Sequence, residues 1–197
     1  MCQVFGVPFF KFHLKIPSST RNDLLDKVDF LRKKNRYKNK SNMGGFHSDD
    51  ILEEEWNTFD AGKWFAGSIN QILAKTMSLL HQTPSPEFNI ELENSWYVVS
   101  RAGQADWLAP HNHPNSYLSG AFYLSVQPEI KGTGMLMAVI ENNSIESIHP
   151  PRTVEYIPVE GEVILFPSST LHMVSAHTAD YDRIIISFNT KITPNNA

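Results

Sequence analysis

The sequence predicts an α+β fold that is mainly β: a jelly-roll core with helices from the N-terminal part packed on one sheet. Two observations carry this. The first part of the chain has apolar residues at helical spacing, whereas from Phe88 onward short runs of β-formers alternate with turn residues. No internal repeat, low-complexity stretch or linker separates the two parts. At 197 residues the chain is long enough for one domain with a sizeable core. A single domain over 1–197 is therefore expected, helical at about 18–82 and jelly roll at about 88–190.

In chain order, Val4 to Phe12 is rich in aromatic and β-branched residues and reads as an opening strand. Pro17-Ser18-Ser19-Thr20 reads as a helix start, with Asp23 in the first turn and Leu24, Leu25, Val28 and Leu31 as the apolar stripe. Ser48-Asp49-Asp50 offers a cap for a helix through Trp56. A longer helix is expected from about Lys63 to His81, with Phe65, Ile69, Ile72, Leu73, Met77 and Leu80 facing the core. Thr83-Pro84-Ser85-Pro86 ends it. Strands are then expected at 88–93, 95–101, 117–126, 134–140, 153–158, 162–166, 171–175 and 183–190.

Composition narrows the function classes. Hydrophobic residues at 41% and charged residues at 19% are ordinary for a soluble globular protein. A net charge of -4 gives the whole molecule no nucleic-acid footprint. Cys2 is the one cysteine, so neither a disulfide framework nor a thiolate metal cluster can form. The apolar run from Val4 to Phe10 is too short for a membrane span and lacks the flanks of a signal peptide, so a cytoplasmic protein is expected. The basic run from Arg32 to Lys40 reads first as a solvated helix end and loop. The sharper reading is a mobile loop that attracts an acidic substrate. One aromatic, Tyr37, does not make this run a nucleic-acid platform.

Three of the eight histidines stand apart. His111 and His113 flank Asn112 between Pro110 and Pro114, and in an extended segment both rings share a face. Neutral imidazoles so placed can bind one metal ion, although His-x-His alone is a weak signal. The expected third ligand is His172, from a distant strand on the opposite sheet, after the turn, buried strand and break of Gly161 to Pro167. Three protein ligands would leave positions open, as a catalytic metal requires. A lone histidine is usually surface or satisfied core, which is the reading for His13, His47, His81, His149 and His177. Arg183 shares a face with Ile185 and Ser187. Inward, its guanidinium needs a ligand carboxylate; outward, it would pair with Asp180 or Asp182. Ser119, Ala121 and Tyr123 share a face as well, two hydroxyls around a small residue with room for a ligand.

With Trp96, Gly103, His111 to Ser116, Ser119 to Leu124, Gly161 to His172 and Arg183 to Asn189, residues 95–190 resemble a 2-oxoglutarate/Fe(II) oxygenase family of prolyl-hydroxylase-like type found in marine bacteria and cyanophages. The resemblance implies a double-stranded β-helix, cupin-like, with Fe(II), 2-oxoglutarate and O2 as cofactor and cosubstrates. It implies metal ligation by His111, His113 and His172, with His113 where the wider superfamily has a carboxylate. It implies that Arg183 binds the far carboxylate of 2-oxoglutarate and that Ser119 and Tyr123 place hydroxyls around it. The expected activity is a hydroxylase that couples decarboxylation of 2-oxoglutarate to oxidation of a C–H bond. A peptidyl or amino-acid-like substrate is slightly favoured. Two departures stand out: His113 replaces the acid, and Ile185 sits where many superfamily members have a serine. They keep two alternatives open, a metal-dependent cupin dioxygenase that does not use 2-oxoglutarate and a non-catalytic metal-binding module of the same fold. The loops expected over the mouth are Ser41 to Phe46 and Glu141 to Pro151.

Overall fold

The computed structural model describes residues 7–81, 88–127, 132–141 and 152–194. Cys2, the first residues of the expected opening strand, the Thr83 to Pro86 break, His149 and the expected mouth loop after Glu141 lie outside the described residues.

The N-terminal part begins with strand β1 (Phe10–His13) and helix α1 (Ser18–Lys33). Short strands β2 (Asn42–Met43), β3 (Phe46–His47) and β4 (Ile51–Leu52) follow, then the single turn α2 (Glu53–Trp56) and the long helix α3 (Asp60–His81). The β-rich part holds β5 (Phe88–Ser100), β6 (Asp106–His111), β7 (Leu118–Ser125), β8 (Leu136–Glu141), β9 (Arg152–Tyr156), β10 (Glu162–Pro167), β11 (His172–His177) and β12 (Arg183–Pro194).

These strands form two antiparallel sheets. The larger has the order β1-β10-β7-β12-β5-β3, with β4 also on β5, and the smaller has the order β2-β6-β11-β8-β9. Alternation along each strand decides the layering. On β12, Ile186 and Phe188 point to the helices, while Ile185 points to the other sheet. The helix-side core joins Leu24, Val28 and Leu31 of α1 and Phe65, Ile69, Leu73 and Met77 of α3 to Phe122, Leu165 and Phe188. Trp56 is the polar pin of this layer, fully buried with its indole N–H donating to Ser95 Oγ at 2.6 Å. A second core lies between the sheets and includes Trp96, Leu108, Ala121, Tyr123, Phe166, Val174 and Ile185. This is the jelly roll with helices on one sheet that the sequence predicts.

Several local expectations need correction. Asp23 lies beyond the first turn of α1, which has no acidic residue there and no side-chain cap. The helix expected after Ser48 shrinks to α2 because the would-be caps have other partners. Ser48 Oγ accepts from Tyr97 N–H, Asp49 pairs with Arg36, and Asp50 pairs with Lys38 and Lys40. The strands expected at 88–93 and 95–101 are one strand, β5, paired with β12 along its length, and a register shift opposite Asn189 and Thr190 absorbs the irregularity. Strand β6 is not among the eight strands expected from composition, although the segment around His111 and His113 reads as extended. Its Pro110 is tolerated where the four residues Leu108 to His111 of β6 face the three residues His172 to Val174 of β11.

The segment from Arg36 to Leu52 crosses between the sheets, β2 pairing with β6 while β3 and β4 pair with β5. The crossing turn needs Gly44, whose φ is +87° and where a Cβ would stand 2.1 Å from Asp106 Oδ1. The basic run is held by ion pairs: Arg36 with Asp49 and Glu55, and Lys38 and Lys40 with Asp50. Among the described residues no helix is long and apolar enough to cross a membrane.

Candidate metal centre

The ring nitrogens of His111, His113 and His172 lie within 4.8 Å of one another. Backbone pairing brings them together. His111 ends β6 directly opposite His172 on β11, so two rings on the same face of neighbouring strands meet, with centroids 4.3 Å apart. The structure thus corrects the expectation of ligands from opposite sheets: both histidine strands belong to the smaller sheet, adjacent and antiparallel. His113 follows β6, and its N–H donates to the Ser168 carbonyl at 2.9 Å, which ties it to the turn before β11.

Backbone carbonyls fix the orientation of two rings. His111 Nδ1 donates to Ala109 O at 2.7 Å and His172 Nδ1 donates to Thr170 O at 2.9 Å. Each neutral ring then carries its lone pair on Nε2, turned toward the cluster. His113 Nε2 stands 3.3 Å from His172 Nε2. Burial is the main force keeping all three uncharged. It lowers the pKa of His111, brings His172 to about 4, and, with His172, His111 and Lys40 adding repulsion, brings His113 to about 3. Neutral imidazoles with converging lone pairs are the donor set for a divalent transition metal.

The cluster opens into a cavity of about 360 Å³ between the sheets. Its wall includes Trp96, Val98, Leu108, Ala121, Tyr123, Phe166, Ile185 and, from β12, Arg183, Ser187 and Asn189. Arg183 points inward. It is 1% exposed, and its Nε, Nη1 and Nη2 find no hydrogen-bond partner among the described residues. Its Cζ lies 5.4 Å from the Tyr123 ring centroid. Asp182, an outward alternative, accepts instead from Ala102 N–H at 2.9 Å. Burial lowers the Arg183 pKa, yet a guanidinium stays protonated, so the cavity holds a cation with the Tyr123 hydroxyl near it and no anionic partner among its described lining residues. This orphaned fork fits a carboxylate ligand. Gly134 makes room for it: its φ is +60°, and a Cβ there would meet Arg183 Cδ at 2.8 Å.

Tyr123 lines the same cavity, and burial raises its pKa to about 12, so its hydroxyl keeps its proton. Ser119 also lines it, but its hydroxyl donates to Asn189 Oδ1 at 2.8 Å and meets Ser168 Oγ at 2.8 Å. Contact with a ligand would require Ser119 to exchange a partner. Sequence reading missed His47, which is buried in the cavity wall and stacked on Trp96 with centroids 5.7 Å apart and planes 10° apart. It missed Lys40 and Ser41 as well, both in the wall, with Ser41 Oγ 3.4 Å from His111 Nε2. Ser41 began an expected mouth loop, and Lys40 ended the basic run whose sharper reading was a loop that attracts an acidic substrate.

Residues 94–189 match the family described as Putative 2OG-Fe(II) oxygenase, and this stretch contains the three histidines, Ser119, Tyr123 and Arg183. No curated protein matches the sequence. Among solved structures, the fold is similar to a Pseudomonas putida prolyl-4-hydroxylase, with TM-score 0.64 and 12% identity over 93% of this chain and 91% of that one. It is similar to a prolyl hydroxylase from Trichoplax adhaerens, solved with a hypoxia inducible factor oxygen degradation domain peptide fragment, with TM-score 0.64 and 14% identity over 92% and 82%. It is also similar to the epimerase SnoN, solved with Fe3+, alpha ketoglutarate and nogalamycin RO, with TM-score 0.64 and 14% identity over 94% and 80%. At such identities the likeness is one of fold.

Proposed function

We propose that this chain, whose residues 94–189 match the 2OG-Fe(II) oxygenase family, is an iron(II)- and 2-oxoglutarate-dependent oxygenase acting as a hydroxylase. His111, His113 and His172 hold the metal and Arg183 anchors the cosubstrate. One observation carries the reading: a single cavity holds both converging imidazoles and a buried, unpartnered guanidinium. A dianion with a keto-acid head and a distal carboxylate answers both. Arg183 would hold the distal carboxylate, and the histidines of the same cavity would hold the metal that binds the head. When bound, the metal and 2-oxoglutarate supply an oxidation driven by O2, with loss of CO2 and formation of succinate.

The chain's own residues bind, orient and exclude water. Ala109 and Thr170 carbonyls aim two imidazoles. Tyr123 offers a protonated hydroxyl beside Arg183. Ser119 braces β7 against Asn189 of β12 and the Ser168 turn. Val98, Leu108, Ile185 and Phe166 supply apolar walls. A peptidyl or amino-acid-like prime substrate, one domain over 1–197 and a cytoplasmic setting complete this reading; the prolyl-hydroxylase likeness supports the first.

The test is the affinity of the Mn(II)-loaded protein for 2-oxoglutarate by calorimetry. Arg183→Leu is expected to weaken it by about a hundredfold, since a charge-assisted bidentate contact contributes about 1.5–3 kcal/mol. Unchanged affinity would remove Arg183 from the anchoring role. The all-histidine donor set also suits a metal-dependent cupin dioxygenase that acts directly on its substrate. In that case the metal binds and 2-oxoglutarate does not.

A further inference from the structure

The charge of the cavity does not balance. Among its described lining residues Lys40 and Arg183 are cationic and none is acidic. Three imidazoles are neutral ligands, so a divalent metal held by them keeps its full charge, where a carboxylate ligand would offset half of it. With the metal and the 2-oxoglutarate dianion both bound, the site still carries an excess of two positive charges. The Lys40 side chain is 41% exposed, so water screens part of this excess at its end of the cavity and leaves the rest for an anion to offset.

The excess lies on the side away from Arg183. Lys40 Nζ stands 4.9 Å from the Trp96 ring centroid, and the Trp96 and His113 rings are 5.6 Å apart. Lys40 does pair with Asp50, at 3.1 Å, but Lys38 holds the same carboxylate at 2.8 Å. One negative charge between two ammonium groups leaves this corner cationic. Beside it, the His47 ring lies parallel to Trp96, with its Nδ1 donating to Ser48 O at 2.7 Å. Among the described residues His47 Nε2 has no hydrogen-bond partner, which leaves it as an acceptor for a substrate N–H.

Resting on the oxygenase reading, we propose that the prime substrate is an anion, a carboxylate-bearing amino-acid-like molecule whose carboxylate lies against Lys40 beside the Trp96 face. Lys40 and Asp50 then set specificity in opposite directions. Removing the Lys40 charge weakens the anion, whereas removing the Asp50 charge frees Lys40 and tightens it.

The experiment uses the full chain loaded with Zn(II) and 2-oxoglutarate, with loading measured first by calorimetry. The probes are N-acetyl-L-proline, N-acetyl-L-leucine and N-acetyl-L-phenylalanine, each beside its primary amide, with binding read by ligand-detected NMR. The acids are expected to bind at least tenfold more tightly than the amides. Lys40→Met, which keeps the stem over Trp96, is expected to weaken them about tenfold, and Asp50→Asn to tighten them several-fold. Amides binding as well as acids, no response to Lys40→Met, or binding by no member of the set would overturn the proposal. Failure at the loading step is a separate readout, and it sinks the oxygenase reading itself.

Discussion

Arg183 shows how far one residue can be read from sequence. Alternation placed it on the face of Ile185 and Ser187, and both line the cavity with it. Its burial could be argued in advance only from the need for a partner, and the space that admits it could not, because Gly134 comes from a different sheet region. Gly134→Ala should therefore press a methyl onto Arg183 Cδ at a positive φ. The expected cost is about 1–3 kcal/mol of stability, with weaker 2-oxoglutarate binding, read by chemical denaturation and calorimetry; an Ala variant with wild-type values for both would show that the gap is not needed. The histidines were legible as types and spacing. Their meeting was not, because it depends on the β6–β11 register, which neither strand announces. His172→Ala should abolish high-affinity Fe(II) binding, measured by equilibrium dialysis. Retained stoichiometric iron would move the metal elsewhere.

At the scale of elements, the long periodic ones were legible and the short ones were not. Helix α3 starts three residues before its expected start, and its stripe is core as read from Phe65 to Met77, while Leu80 is only half-buried. Strand β6 hid behind Pro110, and β2 to β4 are pairs of residues that exist only because the sheets offer edges. What fixes the β2–β3 crossing is Asp106 at the start of β6. Its carboxylate accepts from Arg101 N–H at 2.8 Å, Arg101 Nε at 2.9 Å and Arg101 Nη2 at 2.8 Å, beside the Gly44 turn. The Arg101 side-chain contact holds the Asp106 pKa below its ordinary value. A depressed carboxylate pKa stabilises the fold above the unfolded value, and that contribution fades as the pH falls through the folded one. Wild-type stability should thus drop below about pH 4, and Asp106→Asn should flatten this part of the curve while lowering stability at pH 7. Parallel pH curves for the two proteins in urea denaturation would count against this role.

The whole molecule joins these scales through one division of labour. The larger sheet, backed by α1 and α3, supplies Arg183, Tyr123 and Ser119; the smaller sheet supplies His111 and His172, with His113 just beyond its β6. The jelly roll was legible because short runs of β-formers are separated by turn residues, although β7, β10 and the end of β5, buried on both faces, show no alternation of burial. The cavity mouth was not, because it is built by a segment whose basic residues read as solvated and also pair with Asp49 and Asp50 further along the same segment. The central claim is that metal and 2-oxoglutarate meet in the space between the sheets. The most direct measurement is an anaerobic titration of the Fe(II)-loaded protein with 2-oxoglutarate, followed in the visible spectrum. A saturable charge-transfer band from a chelated complex, weakened in Arg183→Leu, is the predicted result. Iron that binds without any band developing would contradict the account and favour the cupin dioxygenase reading.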